Sequence, residues 1–230
     1  VAPAATFAWA LGVAPGILSD GEVHRESLRW APELGFELSV RIDAFALLMV
    51  MLVSGVGVLV FAYASAYLSD GPDLGRLSAA LVAFAGSMVG LVASDDLLGL
   101  FLFWEATSIT SYLLIGIDDR SERARAAALR ALLTTGGAGL AMLAGFVLLA
   151  QASGTWSLGE ILADPPAGTT VTVALVLVLV GALAKSAQFP FHFWLPNAMA
   201  APTPVSAYLH AAAMVKAGIY LIALFAPVFA

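Results

Sequence analysis

Residues 171–196 read VTVALVLVLVGALAKSAQFPFHFWLP. The run holds one charged side chain, Lys185, and a proline in mid-course, Pro190. At about 1.5 Å per residue it is long enough for a hydrocarbon core of ~30 Å, which takes roughly 20 helical residues. Pro190 lacks an N–H and clashes with the preceding turn, so the helix is expected to kink or open there, leaving the carbonyl near Ser186 without its partner. Broken backbone at membrane depth is tolerated only against protein or a wet cavity, and interrupted helices commonly mark ion sites. Over an unbroken helix Lys185, Gln188 and His192 would share a face, and a break re-aims His192 away from Lys185. A plain proline kink is the competing reading; Lys185 one turn upstream favours the site.

The rest of the chain has the same character. Of its 230 residues 61% are hydrophobic and 11% charged, and the mean hydropathy is +0.94. Soluble domains carry about 25% charged residues, so an ordinary globular protein, a disordered tail and a nucleic-acid binder are all excluded. The sequence describes an integral membrane protein. With no cysteine, disulfides, thiolate metal sites and cysteine nucleophiles are excluded. The net charge of −6 says little about partners, because charges in such a protein sit mostly in loops.

Working outward, residues 1–18 read as a partial or short first span that lacks the basic region of a signal peptide. The chain opens on Val1 and is read as an internal piece of a longer protein. Residues 19–42 form a polar stretch with Arg25, Arg29 and Arg41, in which Leu34 to Ile42 alternates loosely like a short strand. Further spans are expected at 43–69, 77–94, 97–117, 131–152, 171–196 and 205–226. A turn at Asp70-Gly71-Pro72-Asp73, a tight link at Asp95-Asp96, a charged segment at 118–130 and a Gly/Pro-rich loop around 164–168 separate them. Asp95 and Asp96 are expected to face water. Basic residues favour the cytoplasmic side. Arg76, Arg120, Arg123, Arg125 and Arg130 outnumber Arg25, Arg29 and Arg41, so the 19–42 loop is placed outside. The 120–130 stretch reads as the solvated start of the next span, with an interfacial helix on anionic lipid as the alternative.

Three charges fall inside spans. Glu105, Lys185 and Lys216 each cost about 2.5–3.5 kcal/mol at mid-depth, and His192 and His210 add titratable groups nearby. As structural glue, Glu105 and Lys185 would make one neutral pair, yet intramembrane polar contacts return only about 0.6–2 kcal/mol. Lys216 then has no acid partner in any span. A mid-depth series of Glu, Lys and His is what a proton relay requires. Thr107, Ser108, Thr110 and Ser111 line the Glu105 helix and can hold water, although singly each is better read as a packing residue. Gly136-Gly137-Ala138-Gly139 lies inside an apolar span and reads as close helix packing, not a phosphate loop.

Three runs carry a resemblance: Phe103-Trp104-Glu105-Ala106-Thr107-Ser108, the segment from Lys185 to Pro196, and Ala201-Pro202-Thr203-Pro204-Val205-Ser206 continuing through His210 to Lys216-Ala217-Gly218. They resemble the antiporter-like membrane subunits shared by respiratory complex I and the multisubunit (Mrp-type) Na⁺/H⁺ antiporters, most of all the A-type subunit of the latter. The resemblance implies an all-α, polytopic membrane helix bundle that repeats a five-helix unit with inverted topology. Residues 1–76 would be leading spans and 77–230 the first unit, with the second absent. It implies that Glu105 and Lys185 form a gating pair, and that His192, His210 and Lys216 are further stations of a midplane proton path. It also implies other membrane subunits as partners, H⁺ and Na⁺ as transported ions, a bacterial cell membrane as the location, and no cofactor, metal or nucleic acid. A secondary transporter component is therefore expected rather than an enzyme. The alternatives are a redox-driven pump subunit of complex I or of a membrane hydrogenase, and a scaffold whose charges only hold the assembly together.

Overall fold

A computed structural model describes residues 2–31, 36–67 and 74–229. The chain is a helical bundle with one small hairpin. The helix α1 (Ala2–Ser19) leads into strands β1 (His24–Ala31) and β2 (Phe36–Ile42), paired antiparallel with Arg25 opposite Arg41. Then come α2 (Ala44–Tyr67), α3 (Leu74–Ala93), α4 (Leu97–Ile115), α5 (Glu122–Ser153), the short α6 (Leu158–Ala163) and α7 (Thr169–Lys185). Beyond α7 lie the short α8 (Trp194–Ala198) and α9 (Thr203–Ser206), a π-helical turn at Ala207–Ala212, α10 (Met214–Leu224) and α11 (Ala226–Phe229). Among the described residues, six helical stretches are long and apolar enough to cross a membrane: α1, α2, α3, α4, α5 and the composite 203–224. Apolar helices satisfy their own backbone, which is why they can span lipid.

The expected span boundaries hold for α2 to α4 within a few residues. The Asp70–Asp73 turn lies outside the described residues. Other spans differ in extent from the expectations. The first helix is long enough to span, at 18 residues. The charged 120–130 stretch is the start of the next span, as the favoured reading had it: α5 takes in most of it, and its 32 residues rise about 48 Å and so overhang the bilayer. Ser121 caps its start, accepting from Ala124 N, and Gly154 ends it in the left-handed conformation at φ 75°. The span expected at 171–196, in turn, stops at Lys185.

Close packing is built on small residues. A side chain on Gly145 of α5 would meet the Ala174 carbonyl of α7 at 2.6 Å, and one on Gly181 of α7 would meet Met142 Cβ at 2.7 Å. Gly218 lets α10 lie directly on the Ala182 carbonyl and on Ser186. Two buried tyrosines tie elements across the bundle: Tyr208 donates to Val53 O at 2.9 Å and Tyr220 to Val92 O at 2.8 Å. Large side chains such as Leu59, Leu133 and Leu140 point outward, as befits a lipid-facing surface.

Loops gather on the two ends. On one, β2, the α3–α4 link and the α5–α6 junction interlock: Asp95 N donates to Ser39 O, Leu97 N to Trp156 O and Leu158 N to Asp95 O. On the other, Arg76 pairs with Asp119 at 3.4 Å. Asp95 and Asp96 do not face water as expected; they are 9% and 8% exposed. Asp96 caps α4 by accepting from Gly99 N at 2.6 Å and also accepts from Ser39 N at 3.4 Å. The hairpin and the α5–α6 junction close over a link that looks solvent-facing when only its neighbouring spans are considered.

Candidate functional site

At the C-terminal end of α7, Lys185 is wholly buried. Its Nζ donates to Trp104 O at 2.7 Å and to Ser108 Oγ at 2.7 Å, both on α4. It lies 4.8 Å from the centre of the Trp104 ring, within range of a cation–π attraction. Trp104 O is crowded, since Thr107 Oγ1 also donates to it at 2.7 Å and Ser108 Oγ at 3.3 Å. Thr135 of α5 donates to Ser108 Oγ at 3.5 Å. Lys185 is thus held by neutral oxygens from a helix wall of hydroxyls.

Glu105 neighbours this cluster on α4 but makes no direct ion pair with Lys185 among the described residues. The direct contact expected of the two from the sequence is not made, although each still feels the other's charge. The Glu105 carboxyl lies instead against α5, where Gly136 and Gly139 leave room for it. Its Oε1 is buried and accepts no hydrogen bond.

The helix stops at Lys185 by a specific device. Gln188 N donates five residues back to Leu183 O at 2.9 Å, and Ala187 N donates three back to Ala184 O at 3.2 Å. Together with Ala187 at φ 52° these form a Schellman stop, with alanine where glycine is usual. Pro190 is therefore not a kink in a continuing helix. It lies in an open segment that begins one turn earlier, and it helps to keep that segment open because a proline restricts the residue before it. Trp194, also fully buried, donates Nε1 to Ala184 O at 2.9 Å and so satisfies a carbonyl in the last turn.

The Trp194 ring also meets His210, with centroids 6.1 Å apart. Both ring nitrogens of His210 are buried, with the Ala198 backbone the polar group that acts on the ring. His210 sits in the π-helical turn, where Ala213 N donates to Tyr208 O, five residues back. Such turns often occur at functional sites. No proline or glycine within 205–217 announces this one. The span expected at 205–226 is therefore not one regular helix: His210 lies in the turn and Lys216 on α10 beyond it.

The structure places Glu105 beside the Lys185 cluster, links His210 to it only through the Trp194 ring, and leaves two expected residues outside it. His192 is exposed, stacked on Phe189 at 6.1 Å. Lys216 is exposed on the outer side of α10, because Ala217 and Gly218 are the residues turned inward. Sequence reasoning missed Trp104, Trp194 and the two glycines. The Phe-Trp-Glu run contained the first, and the second lay in the quoted broken segment.

A second set of titratable groups lies at the hairpin end. Burial pushes the Asp95 and Asp96 carboxyls above the usual carboxylate range. For Asp95, Arg41 and Arg25 offset part of that; Arg41 itself pairs with Asp43 at 3.1 Å.

The bundle, with its interrupted helix and a buried lysine at the break, is that of a polytopic helical membrane protein. Comparison with known proteins narrows the class. Residues 94–230 match the family described as NADH:quinone oxidoreductase/Mrp antiporter, TM, and residues 30–77 match the complex I chain 5 N-terminus. The chain belongs to the NADH:quinone oxidoreductase/Mrp antiporter family. It is 48% identical over 226 residues to a protein of Rhizobium meliloti named as a probable K(+)/H(+) antiporter component of the A/B type, covering 95% of this chain and 22% of that one. It is 46% identical over 218 residues to the A-type component of the Na(+)/H(+) antiporter of Alkalihalophilus pseudofirmus, covering 93% and 27%. In the solved Mrp complex from Dietzia sp., a chain superposes with TM-score 0.87 at 43% identity, covering 96% of this chain and 24% of that chain. A chain of the archaeal membrane-bound sulfane sulfur reductase superposes with TM-score 0.84 at 24% identity, covering 96% and 45%, a likeness of fold. The chain spans about a quarter of the length of the curated relatives it matches.

Proposed function

We propose that this chain is the leading part of a proton-translocating subunit in a multisubunit monovalent cation/proton antiporter of the cell membrane. The observation that carries the reading is Lys185. It is a fully buried amine at the end of a broken helix, held by a carbonyl and a hydroxyl rather than by a carboxylate. Packing alone does not offset the cost of such a group.

In this reading Glu105 is the movable counter-charge. When its carboxylate approaches, the Lys185 ammonium is favoured. When it withdraws, the ammonium loses that attraction and the proton leaves. His210, beyond Trp194, is the next acceptor. His192 and Lys216 belong to later steps, and their exposure here fits a path completed by segments of a longer protein. The two curated relatives are named for K⁺ and Na⁺ respectively, so the coupling ion is a monovalent cation, with Na⁺ as the first choice.

The test uses the full-length gene with its operon neighbours in an antiporter-deficient bacterium. Na⁺- and K⁺-induced collapse of a preformed pH gradient is measured in everted vesicles, with complex assembly checked. Lys185→Ala is expected to abolish exchange while the complex stays intact. Glu105→Gln is expected to impair it less, because the amide can still hydrogen-bond Lys185. Normal exchange by Lys185→Ala demotes the residue to structure. Loss of assembly in that variant supports the scaffold alternative. No cation response in the wild type favours a redox-driven pump, the second reading, which the family and the reductase fold both accommodate.

A further inference from the structure

We propose that Gly139 is a positioning residue: its missing side chain forms the seat that holds the Glu105 carboxyl apart from Lys185. This rests on the reading of Glu105 as the movable counter-charge. A Cβ built on Gly139 would overlap Glu105 Oε1 outright and stand 3.2 Å from Cδ, while its next contact, Trp104 Cδ1, is at an ordinary 3.5 Å. The space is therefore filled by one thing, the end of a flexible side chain. No backbone atom presses on it, unlike Gly145, where the obstacle is a carbonyl of α7.

The contrast within the helix is informative. Gly136, one turn earlier, would place its Cβ 3.5 Å from Glu105 Oε2, an ordinary contact. Gly137 would meet nothing within 4 Å. Alanine is the better helix former at all three positions. At Gly139 alone does the extra carbon collide with the carboxyl. Oε1 gains no hydrogen bond there, so the seat does not bind the carboxylate. It supplies room, and the carboxyl remains free to leave. Filling the seat drives the carboxyl out of the α4–α5 gap toward the nearby opposite charge, the Lys185 ammonium, and fixes the pair closed.

The experiment uses the assembled antiporter complex in everted vesicles. Gly139→Ala is expected to lower cation/proton exchange by roughly 10-fold or more, since displacing a reacting group by about 1 Å is enough for losses of that size. Gly136→Ala, the same change one turn away, is expected to leave exchange near wild type. Glu105→Asp retracts the carboxylate by one methylene, so it is expected to restore exchange in the Gly139→Ala background above that of Gly139→Ala alone. A purely structural glycine would not be rescued in this way. Wild-type exchange in Gly139→Ala overturns the seat. So does loss of exchange that Glu105→Asp fails to rescue. If Gly139→Ala does not assemble, recovery of assembly by Glu105→Asp supports the seat and its failure to recover overturns it. Full exchange in Glu105→Ala overturns instead the reading of Glu105 on which the seat depends.

Discussion

The Lys185 amine is held by two oxygens of very different kinds. The Trp104 carbonyl is backbone and survives any substitution, whereas the Ser108 hydroxyl can be removed. Ser108→Ala leaves Lys185 with one acceptor, at a cost of about 1–3 kcal/mol for a buried group left short of a partner. Exchange in vesicles is expected to fall several-fold or more, with assembly intact and with Ser108→Thr close to wild type. Glu105 and Lys185 were legible in the sequence because a charge inside an apolar run is costly and conspicuous. The partners of Lys185 were not, because a backbone carbonyl carries no residue signature and a serine in a membrane helix is usually a packing residue. Gly139 was visible only as a packing residue: a glycine that makes room for a neighbouring helix and one that makes room for a carboxyl look alike in one dimension.

Helix ends decide where these side chains stand. Pro190 announced a break, yet the break falls at Ala187, since the Schellman stop used alanine and gave no glycine to read. Alanine in the left-handed conformation costs roughly 1–2 kcal/mol. Ala187→Gly is accordingly expected to raise the thermal stability of the purified complex slightly or leave it unchanged, and not to lower it. At the start of α4, Asp96→Ala removes a cap worth about 1 kcal/mol and a link to β2, so faster hydrogen exchange at Gly99 and Ser39 is expected. The pH dependence here runs against the usual carboxylate case. Asp95 and Asp96 have folded-state values raised by burial. The native link therefore binds more protons than the unfolded one, and its stability falls as pH rises from about 3.8 through the raised value. Amide protection at the interlocked loops, corrected for intrinsic rate, should decline over that window. Asp95→Asn should flatten the decline.

Across the whole bundle, hydropathy alone supplied the class and most of the helix order, because each lipid-crossing stretch must be apolar and satisfy its own backbone. The grouping of loops followed from counting spans, and the interlock of Ser39, Asp95 and Trp156 on one end agrees with it. The π-helical turn was invisible, since no proline or glycine within 205–217 marks it. The absence of cysteine makes the sidedness directly measurable. Asp119→Cys is expected to react with a membrane-impermeant thiol reagent only from the cytoplasmic side, and Asp164→Cys only from the opposite side. Labelling in the reverse sense overturns the orientation assigned from the arginines.

The contact between Lys185 and the Trp104 ring has an optical consequence. Indole emission responds to the electric field across its ring, so an ammonium 4.8 Å from the ring centre shifts the emission colour relative to an uncharged amine. The indole thus acts as a fluorescent voltmeter already installed beside the amine. The difference spectrum between wild type and Trp104→Phe isolates its signal from the rest of the five tryptophans. That signal would report, in the unlabelled protein, whether the amine carries its proton.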